Sequence, residues 1–491
     1  MLQSIEARTG NAIGERWEES TAAAVDAAVQ AGASASDAFA ATSAAQRATL
    51  LRGLATALEA DREALVALAD RESGLGLPRL NGELDRTAFQ LRGFADVLER
   101  GGAHAFIDDH SIAGAPPAGR PHLTRVRVPV GPVAMFSASN FPFAFSVLGG
   151  DTASALAAGC PVVVKGHPAH PGLSRRTAAL AQKVVAAQGL RAGVFQFVEG
   201  GSIEVGVALV KAPAIAAVAF TGSFKGGTAL AKVAAERPRP IPFYGELGSV
   251  NPLVVLPAAI ARNGAELAGT LAASICLGAG QFCTSPGVIV VPAGVAGDGF
   301  VEAFAAALKA SRPHAMLSAG IRATFDRGVA QWRAAPQLKP LVNEVVDATV
   351  SAPRPFLAET SAADFIASAQ LHEEVFGSAA LVVRVASTDE ATDVLKAVGG
   401  SLTVTLWGAD AESDDTRSLV RAATQVAGRV LFSGVPTGVA VTAAQHHGGP
   451  YPASTQPFTT SVGYAALDRF LRPVALQDAP AWLIERKGVP C

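Results

Sequence analysis

Between residues 152 and 257, short unbroken apolar runs alternate with small-residue segments of helical period. The runs are PVVVKG, VFQFVEG, AIAAVAFTGS, PIPFYGELGS and NPLVVLP. Between them stand TASALAAG, LSRRTAALAQKVVAAQGL, IEVGVALVK and GGTALAKVAAE. Strands apolar on both sides need cover on both faces, and parallel strands need long crossover connections, here helices. The pattern predicts an α/β fold with a doubly wound parallel sheet. The same texture resumes in ELAGTLAASICLGA, VIVVPAG, DGFVEAFAAALKASR and VFGSAALVVRVAS, which predicts a second α/β unit.

The flanking segments differ. Residues 20–70 are Ala-rich with apolar positions at helical spacing and predict two or three amphipathic helices, with another over 85–100. Residues 123–137, LTRVRVPVGPVAMFS, alternate and carry β-branched residues, which predicts strands. The tail TTSVGYAALDRFLRPVALQ reads as an extended arm. RVRVPVG and this tail look like strand edges that seek a partner, so a homodimer or homotetramer is expected. The predicted division is 1–118 with 138–248, then 249–443, and an arm of 119–137 with 444–491.

Composition excludes several classes. Hydrophobic residues make up 49% of the 491 and charged residues 17%, which argues against long disorder. The 40 basic and 42 acidic residues leave no basic surplus for a nucleic-acid partner. No apolar run approaches membrane-spanning length. Glu6 and Glu15 stand where a signal peptide would be apolar, and Cys160, Cys276, Cys283 and Cys491 form no CxxC pair. A cytoplasmic location is expected, and no Cys/His set has zinc-ligand spacing.

Several residues are candidates for chemistry. Cys283 in GAGQFCTSP is flanked by Gly278, Gly280 and Pro286, which permit close backbone approach to a ligand; most free cysteines are simply buried. Glu246 in FYGELGSVNP reads as a solvated loop carboxylate or as a general base in a partly dry site. Asn140 in FSASNFPFAF reads as a turn residue or as a donor to a developing oxyanion. Lys165 ends the strand PVVVKG, where open α/β sheets bind ligands. Thr221, Gly222 and Ser223 follow a strand and open a helix, a weak signal for an anion site. Cys160 and Cys276 read as packing residues.

Taken in order, FSASNFP, VVVKGHP, FTGS, ELGSVNP, GQFCTSP and HEEVFGS resemble the aldehyde dehydrogenase superfamily across essentially the whole chain. ELDRTAFQLRGFA, KGHPAHPG, GVPTGVAV, HHGGPYPAS and RFLRPVALQ resemble its α-ketoglutaric semialdehyde dehydrogenases. The resemblance implies an aldehyde dehydrogenase-like fold with a cofactor domain, a catalytic domain and a β oligomerisation arm. It implies that the Cys283 thiolate attacks the aldehyde, that Asn140 and the Cys283 N–H hold the oxyanion, and that hydride passes to a nicotinamide. Glu246 would then activate water to release the acid from its thioester. Lys165, His167, Gly222, Ser223, Glu374 and Phe376 would hold the cofactor.

Departures from the family pattern refine these expectations. Pro168 replaces the usual Glu after the cofactor-binding lysine, removing a carboxylate that repels a 2′-phosphate and tilting the choice from NAD toward NADP. Ser249 replaces a glycine, and Ser285 with Pro286 follows the thiol. For the substrate, Arg86 and Gln90 share one helix face and Arg92 lies on another. These side chains are candidates to read a distal carboxylate, with Phe141, Phe145 and Phe458 as apolar lining. The alternatives are a medium- or long-chain aliphatic aldehyde, a CoA-acylating relative and a non-catalytic scaffold on the same fold. The presence of Glu246 argues against the CoA branch.

Overall fold

The computed structural model describes residues 1–102, 106–346 and 351–484. Cys491 and the last residues expected in the arm lie outside the described residues.

Five parallel strands form the first sheet, in the order Phe195–Glu199, Val162–Gly166, Val133–Phe136, Ala217–Thr221, Phe243–Glu246. The period-2 geometry of a strand divides their side chains between two cores. Val133, Met135, Val162 and Val164 pack with helices Ala44–Ala60, Leu77–Glu99 and Pro171–Ala187 on one face. Ala134, Phe136, Val163 and Val218 pack with Ala22–Ala40, Ile203–Lys211 and Phe224–Ala235 on the other. The sheet is doubly wound, as the unbroken apolar runs predict.

Val133–Phe136 was expected to belong to the arm, with the boundary at residue 137. It is instead the central strand of this sheet, hydrogen-bonded to Val162–Gly166 and Ala217–Thr221. All four of its residues are buried, which an edge strand would not tolerate. Strand order reverses on either side of it, so its carboxyl end is a topological switch point, where open α/β sheets place ligands.

The early Ala-rich stretch forms three helices, Ala22–Ala40, Ala44–Ala60 and Arg62–Ser73. Ser43 and Gln46 close a reciprocal capping box at the start of the second. The long helix Leu77–Glu99 follows, with Pro78 in its first turn.

The second sheet has seven strands, ordered Lys339–Asn343, Phe356–Ser361, Ala379–Val385, Val288–Pro292, Leu253–Val255, Ser401–Trp407, Ala427–Leu431. All pairs are parallel except the first, which is antiparallel. Alternate residues again serve separate cores: Val254, Val288 and Val290 one, Leu253, Val255 and Ile289 the other.

The tail strand Leu471–Gln477 pairs antiparallel with Leu123–Pro129, which pairs in turn with Ile107–Asp109. Ile107–Asp109, expected with the first unit, thus joins the arm's sheet. Among the described residues no helix is long and apolar enough to cross a membrane.

Candidate active site

The carboxyl ends of the first sheet's strands converge on the nucleophile candidate. Glu246 is the last residue of Phe243–Glu246, Asn140 follows Val133–Phe136, and Gly222 with Ser223 follows Ala217–Thr221. Cys283 approaches from the second unit on the loop after helix Pro257–Cys276. That loop turns through consecutive left-handed residues, Gly278, Ala279 and Gly280. A side chain at Gly280 would meet the Gly377 backbone at 2.2 Å, so the turn requires glycine there.

Asn251 fixes the loop from below. Its Nδ2 donates to the carbonyls of Cys283 at 2.8 Å and Ser285 at 3.1 Å. Its Oδ1 accepts from Ser249 Oγ at 2.8 Å and from the backbone N–H and hydroxyl of Thr403. Ser249, where the family usually has glycine, therefore holds this clamp. Asn140 Nδ2 donates to Gln281 O at 3.1 Å, which spends one amide hydrogen and leaves the other. Arg79 Nη2 holds the Asn140 carbonyl at 2.8 Å, and its guanidinium lies between Phe141 and Phe282.

Glu246 and His447 are almost fully buried, and His447 Nε2 lies 2.9 Å from Glu246 Oε1 and 3.6 Å from Cys283 Sγ. Ser461 Oγ donates to Glu246 Oε2. Burial by itself would raise the Glu246 carboxyl, but His447 and the hydrogen bonds from His447, Ser461 and Cys283 outweigh it and hold the group below its ordinary range. Burial and the facing Glu246 push the Cys283 thiol well up. The proton therefore rests on the Cys283 sulfur beside an ionised Glu246, the nearest carboxylate that can accept it.

A cavity of about 400 Å³ joins Asn140, His167, Gly222, Ser223, Glu246, Cys283, Glu374 and Phe376. The buried Thr221 hydroxyl on its wall has no hydrogen-bond partner among the described residues, and the cavity lies at the switch point beside the start of helix Phe224–Ala235. These features fit a nicotinamide dinucleotide. Ser223 caps that helix by accepting from Gly226 N–H. Lys165 stands one strand away, its Nζ on Gly200 O at 2.7 Å and its pKa pushed down to about 8 by burial, with Glu19 opposing. His167 Nδ1 accepts from Ala169 N–H, and burial lowers its pKa well below the ordinary value.

The chain belongs to the aldehyde dehydrogenase family.

Residues 2–322 match the aldehyde dehydrogenase family profile. The chain is 43% identical to α-ketoglutaric semialdehyde dehydrogenase 2 of Azospirillum brasilense, covering 90% of this chain and 85% of that one. It is 38% identical to α-ketoglutaric semialdehyde dehydrogenase of Acinetobacter baylyi, covering 98% and 92%. Succinic semialdehyde dehydrogenase of Streptococcus pyogenes, solved in complex with NADP+, shares the fold at a TM-score of 0.81 and 17% identity over 98% of this chain and all of that one. The protein is an oxidoreductase of this family, whose members use NAD or NADP.

The substrate candidates separate. Arg86 and Gln90 both project from helix Leu77–Glu99 toward the protein interior. The Arg86 guanidinium lies 5.3 Å from the Phe145 ring and feels the charge of Glu83 first, then that of Cys283 and Glu246. Phe145 is buried and 6.2 Å from the His447 ring, and Phe141 packs against it. Arg92 points away: its guanidinium makes a two-pronged ion pair with Glu59 at 2.6 Å and at about 2.5 Å. Two residues along a helix turn a side chain by roughly 200°, so Arg92 cannot join Gln90 at the site. Phe458 is 96% exposed on a turn.

Cys160 is fully buried with its thiol on Phe470 O and its pKa raised to about 11 by burial. Cys276 is half-buried against the second unit's core. On the surface, Asp108, His110 and His122 bring metal-ligand-type atoms within 4.8 Å of one another. The antiparallel pairing of Ile107–Asp109 with Leu123–Pro129 gathers this set, which sequence spacing does not reveal.

Sequence reasoning missed His447, Ser461, Asn251 and Arg79 as members of the site. HHGGPYPAS was noted only as a mark of a subgroup, and ELGSVNP was read for Glu246 and as a family motif without its Asn251, although a histidine pair before two glycines is itself a signal for close approach to a ligand.

Proposed function

We propose that this enzyme oxidises α-ketoglutaric semialdehyde to 2-oxoglutarate, with NADP as the preferred acceptor. One observation carries the substrate. Neither terminal nitrogen of the Arg86 guanidinium has a hydrogen-bond partner among the described residues, although both are buried beside the nucleophile. An unpaired buried guanidinium is costly unless an anion completes it, and a carboxylate matches its fork. Gln90 Nε2 is likewise buried without a partner. The curated relatives named for this substrate support the same reading.

In the reaction, Glu246 takes the thiol proton and Cys283 Sγ bonds to the aldehyde carbon. The free Asn140 amide hydrogen and the Cys283 backbone N–H meet the oxyanion, a contribution of about 3 kcal/mol per donor. Bound nicotinamide supplies a hydride acceptor, leaving a thioester on Cys283. Once Glu246 has passed the thiol proton to solvent, it takes a proton from water, whose oxygen bonds to the thioester carbon, expels the sulfur as thiolate and releases the acid.

The NADP preference rests on the end of strand Val162–Gly166. Pro168 is exposed there, where a carboxylate would repel a 2′-phosphate. Glu199, on the next strand, is ion-paired with Arg175. Assembly through the Leu471–Gln477 edge into a dimer or tetramer completes the proposal.

The test compares kcat/KM for the semialdehyde and for hexanal in the parent and in Arg86→Met, with NAD and NADP in parallel. A carboxylate clamp predicts a selective loss for the semialdehyde of about tenfold to a hundredfold, from 1.5–3 kcal/mol for a charged hydrogen bond. Equal losses for both substrates, or none, reject the clamp. The aromatic wall of Phe141, Phe145 and Phe282 would then favour an aliphatic aldehyde.

A further inference from the structure

We propose that His447 is a further catalytic residue, whose Nε2–H is shared by the Glu246 carboxylate and the Cys283 sulfur and holds the base against the nucleophile. The inference rests on Cys283 and Glu246 as nucleophile and base.

The tautomer follows from burial. His447 is 1% exposed and its Nδ1 has no hydrogen-bond partner among the described residues, whereas Nε2 faces Glu246 Oε1 at 2.9 Å and Cys283 Sγ at 3.6 Å. A proton on Nδ1 would be an orphaned buried donor, and two lone pairs would then oppose each other at 2.9 Å. The proton therefore sits on Nε2.

The backbone prevents the ring from leaving. Thr460 Oγ1 accepts from the His447 N–H at 2.8 Å, and the His447 carbonyl accepts from Ser461 N–H at 2.8 Å. Phe145 packs beside the ring. Ser461, from the same turn, holds the other carboxylate oxygen. Ser461 thus fixes one oxygen of the base, and His447 Nε2 stands 2.9 Å from the other, which faces the thiol as its proton acceptor. When the proton moves from sulfur to Glu246, the same Nε2–H is in place to donate to the thiolate, so atoms and charge balance within the trio.

Other charged groups face this trio: Arg86, Arg429 and Glu374 act on Cys283, while burial and then His447 lower the neighbouring His446. Substitutions at 447 leave all of them unchanged, so a change in pH dependence reports the lost donor.

The test uses His447→Gln, whose amide N–H reaches the Nε2 position, and His447→Asn, whose shorter amide reaches only the Nδ1 position. Iodoacetamide alkylation of Cys283 and kcat/KM are followed from pH 5.5 to 9.5. Cofactor titration by fluorescence verifies the fold. Losing the donor raises the proton affinity of both carboxylate and thiolate. In His447→Asn both profiles should move to higher pH by about one unit, with alkylation about tenfold slower below the limb. His447→Gln should stay near the parent. An Asn profile matching the parent, or Gln and Asn shifting equally, overturns the role of His447 alone. Full turnover after stoichiometric alkylation of Cys283 overturns the nucleophile, and this proposal with it.

Discussion

Replacing Asn251 should damage the active site more than replacing any single residue of its aromatic wall. Asn251 is 1% exposed, and its side chain joins the Cys283 loop to Ser249 and to the strand Ser401–Trp407. It also sits at φ 52°, in the left-handed region that asparagine tolerates better than alanine. Asn251→Ala removes the donors to two half-buried carbonyls and the acceptor for Thr403 and Ser249. At about 1 kcal/mol net for each of three or four good bonds, the loss is ~3–4 kcal/mol. Left-handed backbone at alanine adds ~1 kcal/mol. Asn251→Gly removes the same bonds without that strain. Urea unfolding at 25 °C should therefore rank parent, Gly variant and Ala variant, with the last two separated by about 1 kcal/mol. Both should lower kcat because the Cys283 carbonyl loses its anchor. If both variants lie within about 1 kcal/mol of the parent and turn over normally, the clamp does not hold the nucleophile loop.

Cys283→Ala should abolish aldehyde oxidation yet bind NADP, and Glu246→Gln, which removes the acceptor of the thiol proton as well as the base for water, should slow the burst of reduced cofactor and abolish steady turnover, both read by absorbance of the reduced nicotinamide; steady turnover in either rejects its assigned role. Lys165 has a folded pKa of about 8 against an ordinary 10.5, so charge on it opposes folding at pH values below about 8, and the cost fades as pH rises toward 10.5. Lys165→Met should thus be more stable than the parent at pH 7, by at most ~3 kcal/mol, and lose that advantage near pH 10, as urea midpoints would show, while its NADP affinity falls. Arg92→Ala should leave the ratio of semialdehyde to hexanal efficiency unchanged, since its partner is Glu59; a selective loss would contradict the geometry. Light scattering at working concentration should find a dimer or tetramer.

The parallel sheets were legible because their strands are apolar on both faces, a pattern few other folds require. The boundary at Val133–Phe136 was not, since LTRVRVP and VAMF have the same strand character and only the hydrogen-bonded partners differ. Cys283, Glu246 and Asn140 stood out because each lies in a compact glycine- or aromatic-flanked motif. His447 and Ser461 escaped because their meaning depends on Glu246, some 200 residues earlier. Arg92 shows a different limit. Helix phase distinguishes its face from that of Gln90, but Glu59 on a neighbouring helix decides where its charge goes. Phe458 illustrates the same point for aromatics, since hydrophobicity alone does not turn a loop residue inward.

The helix Leu77–Glu99 touches both ends of the proposed substrate's path. Near its start Arg79 holds the Asn140 carbonyl, and one turn later Glu83 accepts the backbone N–H groups of Phe143 and Ala144. Arg86 comes three residues after Glu83. The rod that carries the proposed substrate cation, Arg86, therefore also anchors the loop of Asn140, the proposed oxyanion donor, so the two are set at a fixed span. Such an arrangement works as a length gauge: homologous semialdehydes one methylene longer or shorter would misplace either the carboxylate or the carbonyl. Transplanting this helix between relatives would accordingly move chain-length selectivity and reactive geometry as one unit, whereas substituting Arg86 alone would erase the gauge without resetting it.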